Sequence, residues 1–315
     1  MDDLPTFFIV GAQKTGTSSL HDWLRQQPDI CLPKIKETHY FAYPERYRYG
    51  LDWYLEQFST SGRKATGRVM GEIDPEYMFF SETPKRISQL INNPKIIFIF
   101  RNPIERAFSQ YQMSVARGYE DLSFIEALEI EQDRLANDTD DFSLKHHSYL
   151  SRGRYAEQVQ RYLQAFPKSD FLFIKFKDMV SDDKGEEMYG HICSFIGLKS
   201  DPAIADRTRR SNEASEPISM ILRNIIHRGS KLRRLIGKTI PSYDLKLKIW
   251  LAIDRLNRRP LKHKETLEYH RIPNHMIMSI KNEVKRLQQM TNLDFDDWLE
   301  KMSQCTRLQK MPDSK

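Results

Sequence analysis

Nine consecutive residues, Gly11-Ala12-Gln13-Lys14-Thr15-Gly16-Thr17-Ser18-Ser19, constrain this chain more tightly than any other stretch. Before them stands Thr6–Val10 (TFFIV), a short, apolar, β-rich run that reads as a buried strand entering a turn at Gly11. After them the pattern turns helical, with Leu20, Trp23 and Leu24 on one face and Pro28 closing the helix. A glycine-rich turn between a strand and a helix lets backbone N–H groups and the helix N-terminus converge on an anion. Thr17, Ser18 and Ser19 add hydroxyl donors and can also cap the first helical turn. Taken alone, the same glycines and hydroxyls would serve equally well as ordinary turn and cap residues.

The Gly11-x4-Gly16 spacing is that of a nucleotide phosphate loop, but Thr17 follows where that motif carries lysine. The lysine stands inside the loop, at Lys14. A kinase-like enzyme also needs an acid to hold magnesium, often at a neighbouring strand end. Here the strongest strand, Lys95–Phe100 (KIIFIF), runs into Arg101. Both departures disfavour a kinase-like phosphotransferase and favour a donor that needs no metal.

Further strands are expected at Arg68–Ile73 and Asp170–Phe176, with helices near 84–91, 103–117, 123–136, 154–165 and 184–196. Strands alternating with helices imply a three-layer α/β fold of phosphate-loop type, a mainly parallel sheet flanked by helices. After about residue 200 no further strand is expected. Periodic stretches near 217–228, 245–257 and 274–290 read as a helical C-terminal part. No linker composition separates it, so residues 1–315 form one domain, with an α/β core over 1–200 and a dependent helical extension over 201–315.

The second half of a familiar pattern follows the first. Arg101-Asn-Pro-Ile-Glu-Arg-Ala-Phe-Ser109 places an arginine at a strand end and a serine eight residues later. Together with Gly-x-x-Lys-Thr-Gly-Thr-Ser-Ser, it resembles the donor site of the sulfotransferases that use 3′-phosphoadenosine 5′-phosphosulfate (PAPS). Lys36-Glu37-Thr-His39-Tyr-Phe41 is similar to the Lys-Glu-x-His-Phe-Phe segment of glycan sulfotransferases and their bacterial relatives. Gly71-Glu-Ile-Asp74-Pro75-Glu-Tyr77 is similar to their Glu-Lys-Ser/Thr-Pro-x-Tyr, and Gly153-Arg-Tyr155 to their Gly-x-Tyr. The resemblance covers roughly residues 5–200 and is sharpest at 11–19 and 101–111. It departs at Ile73, where glycan-modifying members carry a lysine, which weakens the case for a polyanionic acceptor.

The resemblance implies sulfuryl transfer from PAPS to an acceptor hydroxyl, leaving adenosine 3′,5′-bisphosphate, with no metal. Gln13, Lys14, Thr15, Gly16, Thr17, Ser18 and Ser19 would then hold the 5′-phosphosulfate, and Arg101 with Ser109 the 3′-phosphate. The basic loop containing Arg210 and Asn212 lies where the family often closes over the 3′-phosphate, although a solvated loop explains it as well. Lys14 can neutralise charge growing on the bridging oxygen. Glu37 is the expected base, with His39 its competitor or partner and Asp74 a third candidate. If 36–41 is extended, Glu37 and His39 share a face. Glu37 could equally be a solvated partner of Lys34 or Lys36. The aromatic run Tyr40, Phe41, Tyr43, Tyr47, Tyr49, Trp53, Tyr54 and Phe58 reads as either acceptor lining or core.

The acceptor is expected to be a small-molecule or glycan-like hydroxyl, with no nucleic-acid partner. The excess of 49 basic over 43 acidic residues is mild and fits either anionic ligands or a solvated basic surface. Met1 is followed by aspartates, and no apolar run reaches the ~20 residues of a membrane span, so a cytoplasmic protein is expected. A non-catalytic nucleotide-binding protein is the remaining alternative. The intact set Lys14, Glu37, Arg101 and Ser109 speaks against it.

Overall fold

The computed structural model describes residues 4–58, 69–198 and 266–308, with short pieces at 215–217, 252–253, 256 and 258–260. The chain divides into two compact units. The first comprises Met1–Arg106, Arg152–Asn212 and Pro273–Lys315, and the second Ala107–Ser151 and Glu213–Ile272.

The first unit is built on five strands: β1 (Phe7–Gly11), β2 (Ile30–Cys31), β3 (Val69–Ile73), β4 (Lys95–Phe100) and β5 (Phe171–Lys175). They pair in the order β2-β3-β1-β4-β5, and every pairing is parallel. The strands are mostly apolar because both faces are covered, as parallel sheets require; the exceptions are Glu72 in β3 and the end residues Lys95 and Lys175. Phe7, Ile9, Ile97 and Ile99 face a core completed by α1 (Thr17–Leu24), α11 (Phe176–Val180) and α12 (Gly185–Phe195). On the other face, Phe98 meets Tyr162 of α10 (Tyr155–Ala165), and Phe100 meets Tyr155 and Phe295. Tyr155 begins α10, and Phe295 lies in the turn between the last two described helices, α13 (Asn274–Thr291) and α14 (Asp296–Leu308), which belong to this same unit.

Gly71 on β3 shows how close the packing is. A Cβ there would lie 2.3 Å from the buried ring of Phe7, its register partner on β1. Gly71→Ala is expected to cost ~1–3 kcal/mol by overpacking and to lower the melting temperature. An unchanged melting temperature would show room at Phe7 that this packing denies.

Three shorter helices, α3 (Gly50–Glu56), α4 (Glu76–Phe79) and α5 (Thr83–Leu90), complete the first unit with a turn of helix, α2, at Pro44–Tyr47. α6 (Pro103–Arg117) begins in the first unit and ends in the second. The second unit also holds α7 (Phe124–Glu129), α8 (Glu131–Ala136) and α9 (Phe142–His146). Buried Glu120 anchors it by accepting from the amides of Asp121 and Leu122, from Arg134 and from the Tyr149 hydroxyl.

Several expectations shift. The helix expected over 123–136 is two helices, interrupted at Ile130, where ψ of 4° departs from helical geometry. Strands do not stop at residue 200: β6 (Ser215–Pro217) and β7 (Arg258–Pro260) pair antiparallel in the second unit. The expected helix at 274–290 is α13, whereas the stretches near 217–228 and 245–257 fall almost wholly outside the described residues. No helix among the described residues is long and apolar enough to cross a membrane.

Candidate active site

The strand order changes direction at β1, which has β3 on one side and β4 on the other. In an open parallel sheet, the carboxyl ends of strands at such a switch point leave a crevice for ligands. The loop after β1 and Arg101 after β4 both lie there, and Arg101 Nη1 donates to the Lys14 carbonyl at 3.3 Å. The loop and Arg101, the first residue of the second donor-binding segment, are thus joined in the first unit.

The loop's backbone is held in a turn that few residues tolerate. Lys14 and Gly16 are both left-handed, with φ of 72° and 78°. At Gly16 a side chain would also strike Phe176, 2.8 Å from the position of a Cβ. Thr15 is fully buried and donates its hydroxyl to the Ala12 carbonyl at 2.6 Å, so its side chain braces the loop and only its amide can serve an anion. Thr17 begins α1 and is buried, while Ser18 and Ser19 are partly exposed on its first turn. Gln13 donates to Glu76 Oε1 at 3.1 Å. Glu76 is in turn gripped by Arg152 through two bonds of 3.0 and 2.8 Å, a buried bidentate pair that ties the loop to α4.

Residues 36–41 are not extended. Glu37 and His39 both have left-handed backbones, φ 59° and 55°, so the two-residue alternation of a strand does not set their directions. What sets them is β3. Its Glu72, and Asp74 just beyond its end, two apart and both fully buried, reach the loop side by side. Glu72 accepts from the Thr38 amide at 2.9 Å and from the hydroxyls of Tyr54 and Tyr77, each at 2.8 Å. Burial raises the Glu72 carboxyl to about 7, and the neighbouring Asp74 charge adds to the rise. Asp74 accepts from the His39 amide at 2.7 Å and lies 3.0 and 3.1 Å from His39 Nδ1.

Glu37 is half-buried, with Lys36 Nζ 3.2 Å from its carboxylate. Burial pushes its carboxyl above the ordinary range, and the Lys36 charge partly opposes that. The same Lys36 ammonium donates to Ser18 Oγ at 2.5 Å. One lysine therefore bridges the phosphate loop and the expected base. For His39, burial disfavours the charged ring, yet the Asp74 carboxylate outweighs it and carries the imidazole up to about 9. Asp74 itself is enclosed by His39 and the Glu76 amide (3.0 Å), facing no open space where an acceptor could stand.

Ser109 lies on α6 in the second unit, and Arg210 and Asn212 fall outside the described residues. Of the aromatic run, Tyr40, Phe41, Tyr54 and Phe58 are core, Tyr43, Tyr47 and Trp53 are half-buried, and Tyr49 is exposed. Sequence reasoning overlooked Glu72, Glu76 and Arg152. For the two acids a signal existed, since three carboxylates at alternate positions 72, 74 and 76 end an otherwise apolar strand. Nothing around Arg152 announced its role.

A family model described as "Sulfotransferase domain" matches residues 4–225. The chain is 33% identical over 195 residues to heparan sulfate glucosamine 3-O-sulfotransferase 6 of Homo sapiens, covering 62% of this chain and 53% of that protein. It is 33% identical over 190 residues to the bifunctional heparan sulfate N-deacetylase/N-sulfotransferase 4 of Mus musculus, covering 58% of this chain and 21% of the relative. It spans about half the length, or less, of these curated relatives. Among solved structures, a sulfotransferase from Alicyclobacillus acidocaldarius is similar at a TM-score of 0.64 and 26% identity, covering 94% of this chain and 98% of that one.

Proposed function

Because the chain belongs to the sulfotransferase family, whose domain model spans residues 4–225, we propose that it moves a sulfuryl group from PAPS to an acceptor hydroxyl. The observation that carries this reading is the Ser18–Lys36–Glu37 bridge, which links a carboxylate of raised proton affinity directly to the phosphate loop. An anion in that loop and a proton acceptor beside it are the two things in-line sulfuryl transfer requires.

In the proposed reaction the acceptor oxygen approaches sulfur as its proton passes to Glu37. The new O–S bond forms while the S–O bond to the 5′-phosphate breaks, and that electron pair stays on the departing bridging oxygen. Lys14 and the loop amides stabilise the charge that collects there. Arg101 at the end of β4, with Ser109 eight residues along the chain, recognises the 3′-phosphate, for which a guanidinium offers a forked donor. The acceptor is a glycan-like or small-molecule hydroxyl. A hydroxyl is what the names of the 3-O-sulfotransferase relatives give for theirs, while buried Ile73 supplies none of the positive charge a sulfated chain would want.

Calorimetry tests the donor. Adenosine 3′,5′-bisphosphate should bind at micromolar strength, roughly −8 kcal/mol, and adenosine 5′-phosphate much more weakly. Arg101→Ala should abolish the difference by removing a charge-assisted contact worth ~1.5–3 kcal/mol. Equal binding of the two nucleotides by the wild-type protein overturns the assignment of Arg101 and Ser109. Sulfate transfer from PAPS to a panel of hydroxyl and amine acceptors then identifies the acceptor class.

A further inference from the structure

Two departures from the family's pattern sit next to each other at the end of β3. Where glycan-modifying relatives carry a lysine, this chain has Ile73, which is 1% exposed and packed into the core. Where they carry serine or threonine, it has Asp74, fully buried. The first puts an apolar side chain into the core on one face of the strand, and the second puts a carboxylate on the other face, beneath His39.

We propose that Asp74 is a positioning residue that fixes His39 as a hydrogen-bond donor to the acceptor. This rests on the transferase reading above for what the acceptor is, and on geometry for the rest. Asp74 cannot swing away, because its two oxygens are held by the Glu76 amide (3.0 Å) and the His39 amide (2.7 Å). The His39 ring is fixed in turn, with Nδ1 at 3.0 and 3.1 Å from the carboxylate and the Tyr43 ring packed against it at 4.7 Å between centroids. Facing a carboxylate, Nδ1 carries a proton. Nε2, on the opposite edge, is engaged by no described residue, and the side chain is one-quarter exposed.

Whether Nε2 offers a lone pair or an N–H depends on the surrounding charge. The charged and titratable groups facing the ring are Asp74 and Glu76 from the β3–α4 segment, Glu37 from its own loop, and the Tyr43 phenol. Arg152 neutralises Glu76 and Lys36 pairs with Glu37, which leaves Asp74 as the carboxylate that His39 itself compensates. Burial opposes the charge, but Asp74 prevails and His39 keeps its second proton to about pH 9. Glu37 and His39 therefore have different tasks: one accepts the acceptor's proton and the other donates a hydrogen bond without giving its proton up.

The test begins on the wild-type protein, by NMR of histidine-ring nitrogens, with His39 identified by the resonance that His39→Gln removes. His39 should be cationic through pH 8, and a neutral ring at pH 7 overturns the proposal without any variant. Asp74→Asn removes the charge and keeps the shape and the bond from the Glu76 amide, while its NH2 stands where an oxygen accepted from His39. With burial no longer outweighed, its His39 should titrate at or below the ordinary ~6.5, so at pH 8 the protonated fraction falls from about nine-tenths to about one-thirtieth or less. The deficit of Asp74→Asn in kcat/KM for the acceptor should accordingly be about 30-fold or more at pH 8 and shrink as the pH falls, with bisphosphate affinity unchanged. A deficit independent of pH would assign Asp74 a merely structural role. Failure to bind bisphosphate while His39 is cationic sinks the transferase reading. Bisphosphate binding with a neutral His39 sinks this inference alone.

Discussion

Glu37→Gln should lower turnover by ~10²–10⁴ while leaving bisphosphate affinity nearly unchanged, because the amide keeps the size of the side chain and cannot take a proton. The wild-type carboxyl is pushed above the ordinary carboxylate range by burial, against the pull of Lys36. Turnover should therefore fall on acidification at a pH higher than an exposed glutamate would give. In the variant that acidic limb should disappear, since the group whose protonation causes it is gone. His39→Ala should be slower than the wild type yet retain the acidic limb, because its ring is held as a cation and is not the base. Wild-type turnover in Glu37→Gln, combined with loss of both rate and acidic limb in His39→Ala, would transfer proton abstraction to the histidine.

Lys14→Ala should cost ~10²–10³ in kcat, the usual loss when one group stabilising developing oxyanion charge is removed. Affinity for the bisphosphate should change much less, because charge on the bridging oxygen grows only as the bond breaks. The loop should survive the substitution with some strain, since alanine must adopt the left-handed φ of 72° that Lys14 already holds. Activity should persist in EDTA and need no added Mg²⁺. Complete loss on chelation would restore the kinase-like alternative that Thr17 and Arg101 disfavour.

These two expectations draw on unequal sources. Lys14 was legible from nine contiguous residues. The spacing of the glycines and the apolar run before them specify a strand, a turn and a helix through conformational preferences that act over a few positions. Arg101 was legible for the same reason, as the first residue after the strongest strand in the chain. Glu37 was legible only through resemblance. Its own neighbourhood permitted a solvated partner of Lys36 just as well, and in the structure it is indeed paired with Lys36, though half-buried.

By itself, then, the sequence determined the strand, glycine turn and helix over residues 7–24, the parallel α/β architecture and the cation at the end of β4. Each of these follows from local backbone preference and from the continuous apolar runs that a doubly covered sheet demands. The tertiary structure alone decided which charges meet. Lys36 reaches Ser18 across 18 residues, His39 finds Asp74 across 35, and Arg152 grips Glu76 across 76. Proton affinity depends on desolvation and on charges a few ångströms away, and both are set by segments distant along the chain. Glu72, Asp74 and Glu76 were thus visible as three acids in a row. That Glu72 braces the loop, Asp74 charges a histidine and Glu76 ties down the phosphate loop is a property of the folded chain.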